Sequence, residues 1–86
     1  MSWQVYLLRC NDGTYYCGIT TDISRRLLEH NGKLGRGARY TAARRPVELL
    51  AVCSRDSRSA ALKLEALVKK APKNRKMEIL ASHALP

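Results

Sequence analysis

Residues 3–19 have the sequence WQVYLLRCNDGTYYCGI, in which two runs rich in aromatic and β-branched side chains flank an Asn-Asp-Gly loop. Such runs, joined by a short polar loop that contains glycine, are typical of a β-hairpin. We therefore predict antiparallel strands at Trp3–Arg9 and Thr14–Ile19. Which side chains share a face of this hairpin depends on the length of its loop.

Two loop lengths are compatible with the sequence. A three-residue loop with Gly13 in the left-handed conformation puts Tyr6 and Tyr16 on the same face of the sheet. A two-residue turn shifts the register by one and puts Tyr15 there instead. A glycine in the third loop position favours the first alternative. The face that it predicts carries Tyr6, Leu8, Tyr16 and Gly18.

The rest of the chain predicts helices and one more strand. Asp22 is a favourable N-cap for a helix at Ile23–His30, which Gly32 can end. The nearly continuous apolar run Val47–Cys53 predicts a buried strand. Two later helices are expected, one from Asp56 or Ser57 to about Lys70 and one from Pro72 to about Leu80. The order ββαβαα predicts a single α/β (α+β) domain over residues 1–86, a small antiparallel three-stranded sheet flanked by helices.

Length and charge limit the classes of function. With 86 residues the chain has room for one small domain, and 16 Lys and Arg against 7 Asp and Glu give a net charge of +9. So basic a domain favours an anionic partner such as nucleic acid. The longest apolar run, Leu49–Cys53, is too short to span a bilayer, and no membrane partner is expected. Strand pattern from Trp3 onward leaves no space for a signal peptide, so we expect a cytoplasmic location. For the oligomeric state, a monomer is favoured.

Cysteine spacing gives no indication of a disulfide framework or a zinc site. Cys10, Cys17 and Cys53 are an odd number and contain no C-x-x-C motif. Free cysteine is among the most buried residue types. We therefore expect all three as small core residues.

Two segments concentrate the basic residues. Residues 33–45 contain five basic side chains and no acidic one, and we interpret them as a mobile loop that binds nucleic acid. Tyr40 in this loop would either stack on a base or pack on the sheet. The alternative for both segments is ordinary solubilising charge. The segments are Lys33, Arg36, Arg39, Arg44 and Arg45, and Lys69, Lys70, Lys73, Arg75 and Lys76.

A small set of polar side chains has the chemistry of phosphodiester hydrolysis. Taken singly, Tyr6 and Tyr16 are ordinary sheet residues, Arg26 and His30 a solvated helix edge, and Glu65 an ion-pair partner for Lys69. Taken together, a carboxylate can hold a divalent cation, a guanidinium can balance charge on phosphorus, and a tyrosine or histidine can move a proton. The five candidates are Tyr6, Tyr16, Arg26, His30 and Glu65.

The spacing of these residues resembles a known signature. Val5-Tyr6-Leu7, followed by Tyr16-Cys17-Gly18 with its tyrosine ten residues after the first, resembles the paired motif of the GIY-YIG nuclease superfamily. Arg26 and His30 match the helix motif of that superfamily, and Glu65 stands where a metal-binding Glu is expected. The segments GRGARYT (35–41) and RRPVEL (44–49) are similar to the small stand-alone YhbQ-like bacterial subfamily.

The resemblance implies roles for these positions. Tyr6 or Tyr16 would take the proton of the attacking water, directly or through a water on the metal, with a nearby cation lowering the pKa of the tyrosine. His30 would position the nucleophile or bind phosphate. Glu65, as the one carboxylate expected near Arg26, would bind Mg²⁺ or Mn²⁺ in preference to zinc. Some members also use an asparagine after the glutamate, and Asn74 lies in that region.

We therefore predict a metal-dependent endonuclease that acts on DNA. The chain has no zinc finger or helix-turn-helix motif to recognise bases, which predicts low sequence specificity. Val5, Leu7 and Cys17 depart from the family signature at packing positions, so the chemistry should be retained. One alternative is a non-catalytic DNA- or RNA-binding module. Another is a ribosome- or RNA-associated protein in which Arg26 and His30 contact phosphates.

Overall fold

A computed structural model describes residues 2–33 and 38–83 of the chain. The three strands form an antiparallel sheet in the order β2-β1-β3 with helices on its faces, as the sequence predicts. The elements are β1 (Trp3–Cys10), β2 (Tyr15–Thr20), α1 (Ile23–His30), α2 (Arg39–Ala42), β3 (Val47–Arg55), α3 (Arg58–Lys70) and α4 (Lys73–Ser82). Strand β3 extends two residues beyond the predicted end at Cys53, and the expectation that it is buried is wrong, since only Val47 and Cys53 are buried in it.

The hairpin has the predicted three-residue loop. The backbone N–H of Cys10 donates to the carbonyl of Thr14 over 2.8 Å, and Gly13 has a φ of 84°. In this register Leu8 pairs with Tyr16. Tyr6 and Tyr16 therefore lie on one face of the sheet, whereas Tyr15 lies on the other.

Each face of the sheet has its own helices. Helices α3 and α4 pack on the face that carries Val5 and Leu7, and α1 packs on the face that carries Tyr6 and Leu8. This arrangement places the strand β1 at the centre of both cores. The prediction for the cysteines is confirmed, because Cys10, Cys17 and Cys53 are buried free thiols.

Helices α1 and α3 begin and end at the predicted residues, whereas α4 ends at Ser82, two residues beyond the predicted Leu80. Asp22 caps α1 and Ser57 caps α3, each by accepting a hydrogen bond from a first-turn backbone N–H. Gly32, with a φ of 81°, follows the end of α1. Leu67 of α3 and Met77 of α4 are apolar but remain 45% and 47% exposed. Among the described residues, no helix has the length and apolar character needed to cross a membrane.

The expectation of a mobile loop at residues 33–45 is wrong for the part that the structure describes. Residues 39–42 form the short helix α2, with Thr41 fully buried. Arg44 fixes this segment to the hairpin loop, because its Nε lies 3.0 Å from Asp12 Oδ2 and its carbonyl accepts from the backbone of Asn11. Arg36 lies outside the described residues.

Candidate active site

Four of the five candidate residues meet on one face of the sheet. Tyr6 and Tyr16 project from neighbouring strands, and their ring centroids are 6.4 Å apart. His30, at the end of α1, lies 5.7 Å from the Tyr6 ring and 5.1 Å from the Tyr16 ring. Arg26, one helical turn earlier, interacts with the Tyr6 hydroxyl. The structure therefore brings the two tyrosines, the arginine and the histidine together.

Gly18 makes room for this cluster. It pairs with Tyr6 across the two strands, and the ring of Tyr6 lies over its backbone. A Cβ at this position would be 2.5 Å from Tyr6 Oη and 3.2 Å from Tyr16 Cε2. Real Cβ atoms essentially never approach so closely, so a side chain here would displace the tyrosine.

A buried line of polar atoms runs from Tyr6 to α2. Tyr6 Oη lies 2.8 Å from His30 Nε2, and His30 Nδ1 lies 2.8 Å from Thr41 Oγ1. The Thr41 hydroxyl in turn donates to the Ala38 carbonyl over 3.0 Å. Tyr6 is 1% exposed, and His30 and Thr41 are fully buried. Thr41 was not among the residues that the sequence singled out, and no spacing pattern in the sequence links it to His30.

Burial sets the protonation states at the centre of the cluster. It raises the pKa of Tyr6 to about 12, and the hydrogen bond and positive charge of Arg26 offset this in part. Burial, reinforced by the charge of Arg26, lowers the pKa of His30 to about 4. At neutral pH, Tyr6 is therefore protonated and His30 is uncharged. Arg26 therefore lowers the pKa of Tyr6, as expected of a nearby cation, but desolvation outweighs this effect and the net shift is upward.

Glu29, an acidic residue outside the predicted site, lies beside Arg26. Glu29 Oε1 is 2.9 Å from Arg26 Nη1, and Glu29 Oε2 is 3.4 Å from Arg25 Nε. The expectation that Glu65 is the one carboxylate near Arg26 is therefore wrong. The i,i+3 spacing of Arg26 and Glu29 on a helix was the available signal. The hydrogen bond from Arg26 lowers the pKa of Glu29, so this carboxylate holds the arginine in place in its charged form.

Tyr40 belongs to the aromatic cluster. Its ring stacks on Tyr16 with centroids 5.8 Å apart, and the Arg44 guanidinium lies over it at 4.1 Å. Of the two interpretations of Tyr40, packing on the sheet agrees with these contacts. The ring remains 38% exposed, and base stacking stays a prediction.

Glu65 lies on the other side of the sheet from the tyrosines. Its helix, α3, packs on the face opposite Tyr6, and its charge acts on Cys17 of the edge strand β2. Burial, with a contribution from Glu65, raises the pKa of Cys17 to about 11. Lys69 Nζ lies 3.4 Å from the Glu65 carboxylate, whose side chain is 16% exposed. The strand β2 therefore separates Glu65 from the cluster.

The donor set around Glu65 fits a particular kind of metal ion. In the part of the chain that the structure describes, no three His, Cys, Asp or Glu residues are grouped so that they could hold a metal ion. Zinc sites need three or four such ligands. A single carboxylate suits Mg²⁺ or Mn²⁺, which keep several waters and bind phosphate oxygens of the substrate. Glu65 is thus compatible with the predicted ion.

The basic residues predicted to contact nucleic acid fall into two groups, those bonded within the protein and those exposed to solvent. Arg44 binds Asp12 and donates to the Tyr40 carbonyl, and Arg45 Nε donates to the His30 carbonyl over 2.6 Å. These two guanidinium groups therefore hold the structure of the site together. Solvent-exposed members of the two basic segments are Lys33, Arg39, Lys69, Lys70, Lys73 and Arg75.

Comparison with known proteins agrees with this geometry. The family model described as the GIY-YIG catalytic domain matches residues 2–78. A UPF0213 protein of Nitratidesulfovibrio vulgaris is 48% identical over 80 residues, which cover 93% of this chain and 71% of the relative. A UPF0213 protein of Streptococcus agalactiae is 44% identical over 79 residues, 92% of this chain and 88% of the relative.

Solved structures show the same fold. The solution NMR structure of a UPF0213 protein from Bacillus halodurans has a TM-score of 0.58 and 36% identity, covering 100% of this chain and 89% of that one. The solution NMR structure of the protein EF2693 from E. faecalis has a TM-score of 0.65 and 39% identity, covering 95% and 85%.

The buried, uncharged state of His30 predicts a loss of stability in mild acid. In the unfolded chain its pKa is about 6.5, whereas in the folded chain it is about 4. The unfolded state therefore binds a proton first as the pH falls. We expect the free energy of unfolding to decrease by about 2 kcal/mol between pH 7 and pH 5, measured by urea denaturation. His30→Gln is the control, and an equal loss in this variant would contradict the assignment.

Proposed function

This chain belongs to the family of GIY-YIG catalytic domains, and on that premise we propose that it is a metal-dependent endonuclease hydrolysing DNA phosphodiester bonds with low sequence specificity. The observation that carries the proposal is the buried Tyr6 hydroxyl, which lies 2.8 Å from Nε2 of an uncharged His30 and close enough to Arg26 for that charge to lower its pKa. A hydroxyl with a cation on one side and an unprotonated base on the other is suited to relay a proton.

The relay runs from water through Tyr6 to His30. With a pKa of about 12, Tyr6 does not act as a base in its ionised form at neutral pH. It instead takes a proton from the attacking water while its own hydroxyl proton moves to His30 Nε2, 2.8 Å away. The water oxygen bonds to phosphorus, the bond from phosphorus to the leaving oxygen breaks, and that oxygen takes a proton from solvent. Arg26 balances the charge that develops on the phosphate.

Glu65 is the proposed ligand for Mg²⁺ or Mn²⁺. The ion supplies Lewis-acid polarisation of the phosphate when it is bound. Tyr16 and Cys17 are neighbours on β2 that point to opposite faces, and the charge of Glu65 acts on Cys17. A phosphodiester that reaches both Tyr16 and Glu65 must therefore lie against the outer edge of β2. Lys69 and Lys73, the latter 5.2 Å from the Tyr15 ring, lie on the Glu65 side of this edge.

One observation favours a second candidate function. Because β2 separates Glu65 from the tyrosine cluster, the same basic surface could hold DNA or RNA without cleaving it. The variant of this idea in which His30 contacts a phosphate is disfavoured, since His30 is fully buried and both of its ring nitrogens already have partners. The experiments below distinguish cleavage from binding alone.

The tyrosine cluster predicts which tyrosine substitutions reduce DNA cleavage. Purified protein is incubated with labelled single-stranded DNA, duplex DNA, branched DNA and RNA, with and without Mg²⁺ or Mn²⁺. We expect metal-dependent cleavage of DNA that Tyr6→Phe and Tyr16→Phe each reduce at least tenfold, because each removes a hydroxyl from the cluster. Tyr15→Phe is the matched control on the opposite face and should cleave at the parental rate. Cleavage that is independent of metal, or that depends on Tyr15, would contradict the proposal.

Glu65 gives a separate test of the metal site. Glu65→Gln should abolish cleavage while leaving DNA binding equal or stronger, since it removes a negative charge from a basic protein. Glu78→Gln is the matched control, because Glu78 is an exposed residue of α4 that pairs with Arg75. Cleavage by Glu65→Gln at the parental rate, in the same magnesium titration, would exclude this residue as the ligand.

The exposed basic residues predict how binding responds to salt. Duplex affinity should fall with a log–log slope of about −0.9 for each phosphate contacted. We expect Arg39→Ala and Lys73→Ala each to make the slope about one unit shallower in a fluorescence binding titration. Lys63→Ala is the control, because Lys63 is a basic residue of α3 that lies near Arg55 and His83. If all three variants have the same slope as the parent, these charges do not contact phosphate.

A further inference from the structure

The hydrogen positions in the buried line can be assigned by counting donors. The Thr41 hydroxyl lies 3.0 Å from the Ala38 carbonyl and donates its single proton to that oxygen, which also accepts from the backbone N–H groups of Thr41 and Ala42 over 3.1 Å. With its proton placed on that carbonyl, the Thr41 oxygen accepts from His30 Nδ1 over 2.8 Å. A neutral imidazole carries one proton, so Nε2 is left with a lone pair. The Tyr6 hydroxyl, 2.8 Å from Nε2, is therefore the donor to it.

From this geometry we infer that Thr41 is a positioning residue that fixes the neutral His30 ring with its proton on Nδ1, making Nε2 the acceptor for the Tyr6 proton. The proton of a neutral histidine is placed by the hydrogen bond that its other nitrogen makes. His30 and Thr41 are both fully buried, so the contact is direct. The catalytic part of this inference rests on the function proposed above, whereas the position of the proton does not.

The hydrogen bond between His30 Nδ1 and Thr41 Oγ1 is also compatible with the histidine after it has taken the proton. The imidazolium form has an N–H on both nitrogens, and Thr41 Oγ1 still accepts from Nδ1. No side chain has to turn during the transfer. A ring flipped to the other tautomer would present an N–H to Tyr6, and the tyrosine could not pass its proton on.

Helix α2 holds Thr41 at the required position. Tyr40, the preceding residue, stacks on Tyr16, and Arg44 fixes the end of the segment to Asp12 and to the Tyr40 carbonyl. The four-residue helix therefore places the Thr41 hydroxyl at Nδ1 of His30, and the Tyr40 ring of the same helix contacts Tyr16. This explains why a basic segment of the chain contains a fully buried threonine.

The test compares Thr41→Val, which keeps the shape and removes the acceptor, with Thr41→Ser, which keeps it. Nitrogen-15 NMR of the histidine ring at pH 7 reports which nitrogen carries the proton. We expect Nδ1–H for the parent and for Thr41→Ser, and a shift of the proton toward Nε2 in Thr41→Val. On the cleaved DNA substrate, kcat should fall at least tenfold in Thr41→Val with KM unchanged, and Thr41→Ser should restore it.

Each outcome bears on the inference. An Nε2–H parent overturns it even if Thr41→Val does not fold, and so does a Thr41→Val protein that keeps Nδ1–H. A shifted proton with unchanged kcat overturns the positioning role. A parent with the expected Nδ1–H pattern that cleaves none of the substrates supports the proton assignment and contradicts the nuclease function, so the two failures are distinct.

Discussion

The hydrogen bond between Tyr6 and His30 joins the sheet to α1 inside the protein, and the rest of the site is arranged around it. Its two atoms are buried, so each needs a partner within the protein, since an unsatisfied buried polar group costs about 1–3 kcal/mol. Arg26 and Thr41 complete the line on either side. The helix, the hairpin and the short α2 segment are therefore held in one relative position by polar contacts as well as by apolar packing.

The fold could be predicted from short-range signals in the sequence. Gly13 in the third loop position gave the hairpin register, and with it the face shared by Tyr6 and Tyr16. Asp22 and Gly32 marked the ends of α1. What could not be predicted depends on tertiary burial. Thr41 has no periodic relation to His30, and a pKa near 12 for Tyr6 follows from desolvation that composition does not show.

Glu65 shows that a sequence motif does not determine on which side of the sheet its residues lie. Its position matches the family pattern, yet its helix packs on the face opposite the tyrosines. Order in sequence does not specify on which side of a sheet a helix packs. The two halves of the proposed site therefore meet at the margin of the edge strand β2, where a polyanion can approach both faces. The lysines near Tyr15 and Glu65 make that margin electrostatically favourable.

The lone glycine of β2 has a consequence for the energetics of the whole domain. Glycine in the interior of a strand lowers stability by about 0.5–1 kcal/mol relative to alanine, because the unfolded chain has more conformational freedom. In most strands an alanine would relieve this cost. Here the aromatic ring above Gly18 leaves no room for a methyl group. The glycine that the site requires therefore lowers the free energy of unfolding of the domain. Substitution at Gly18 cannot recover this stability while Tyr6 keeps its place.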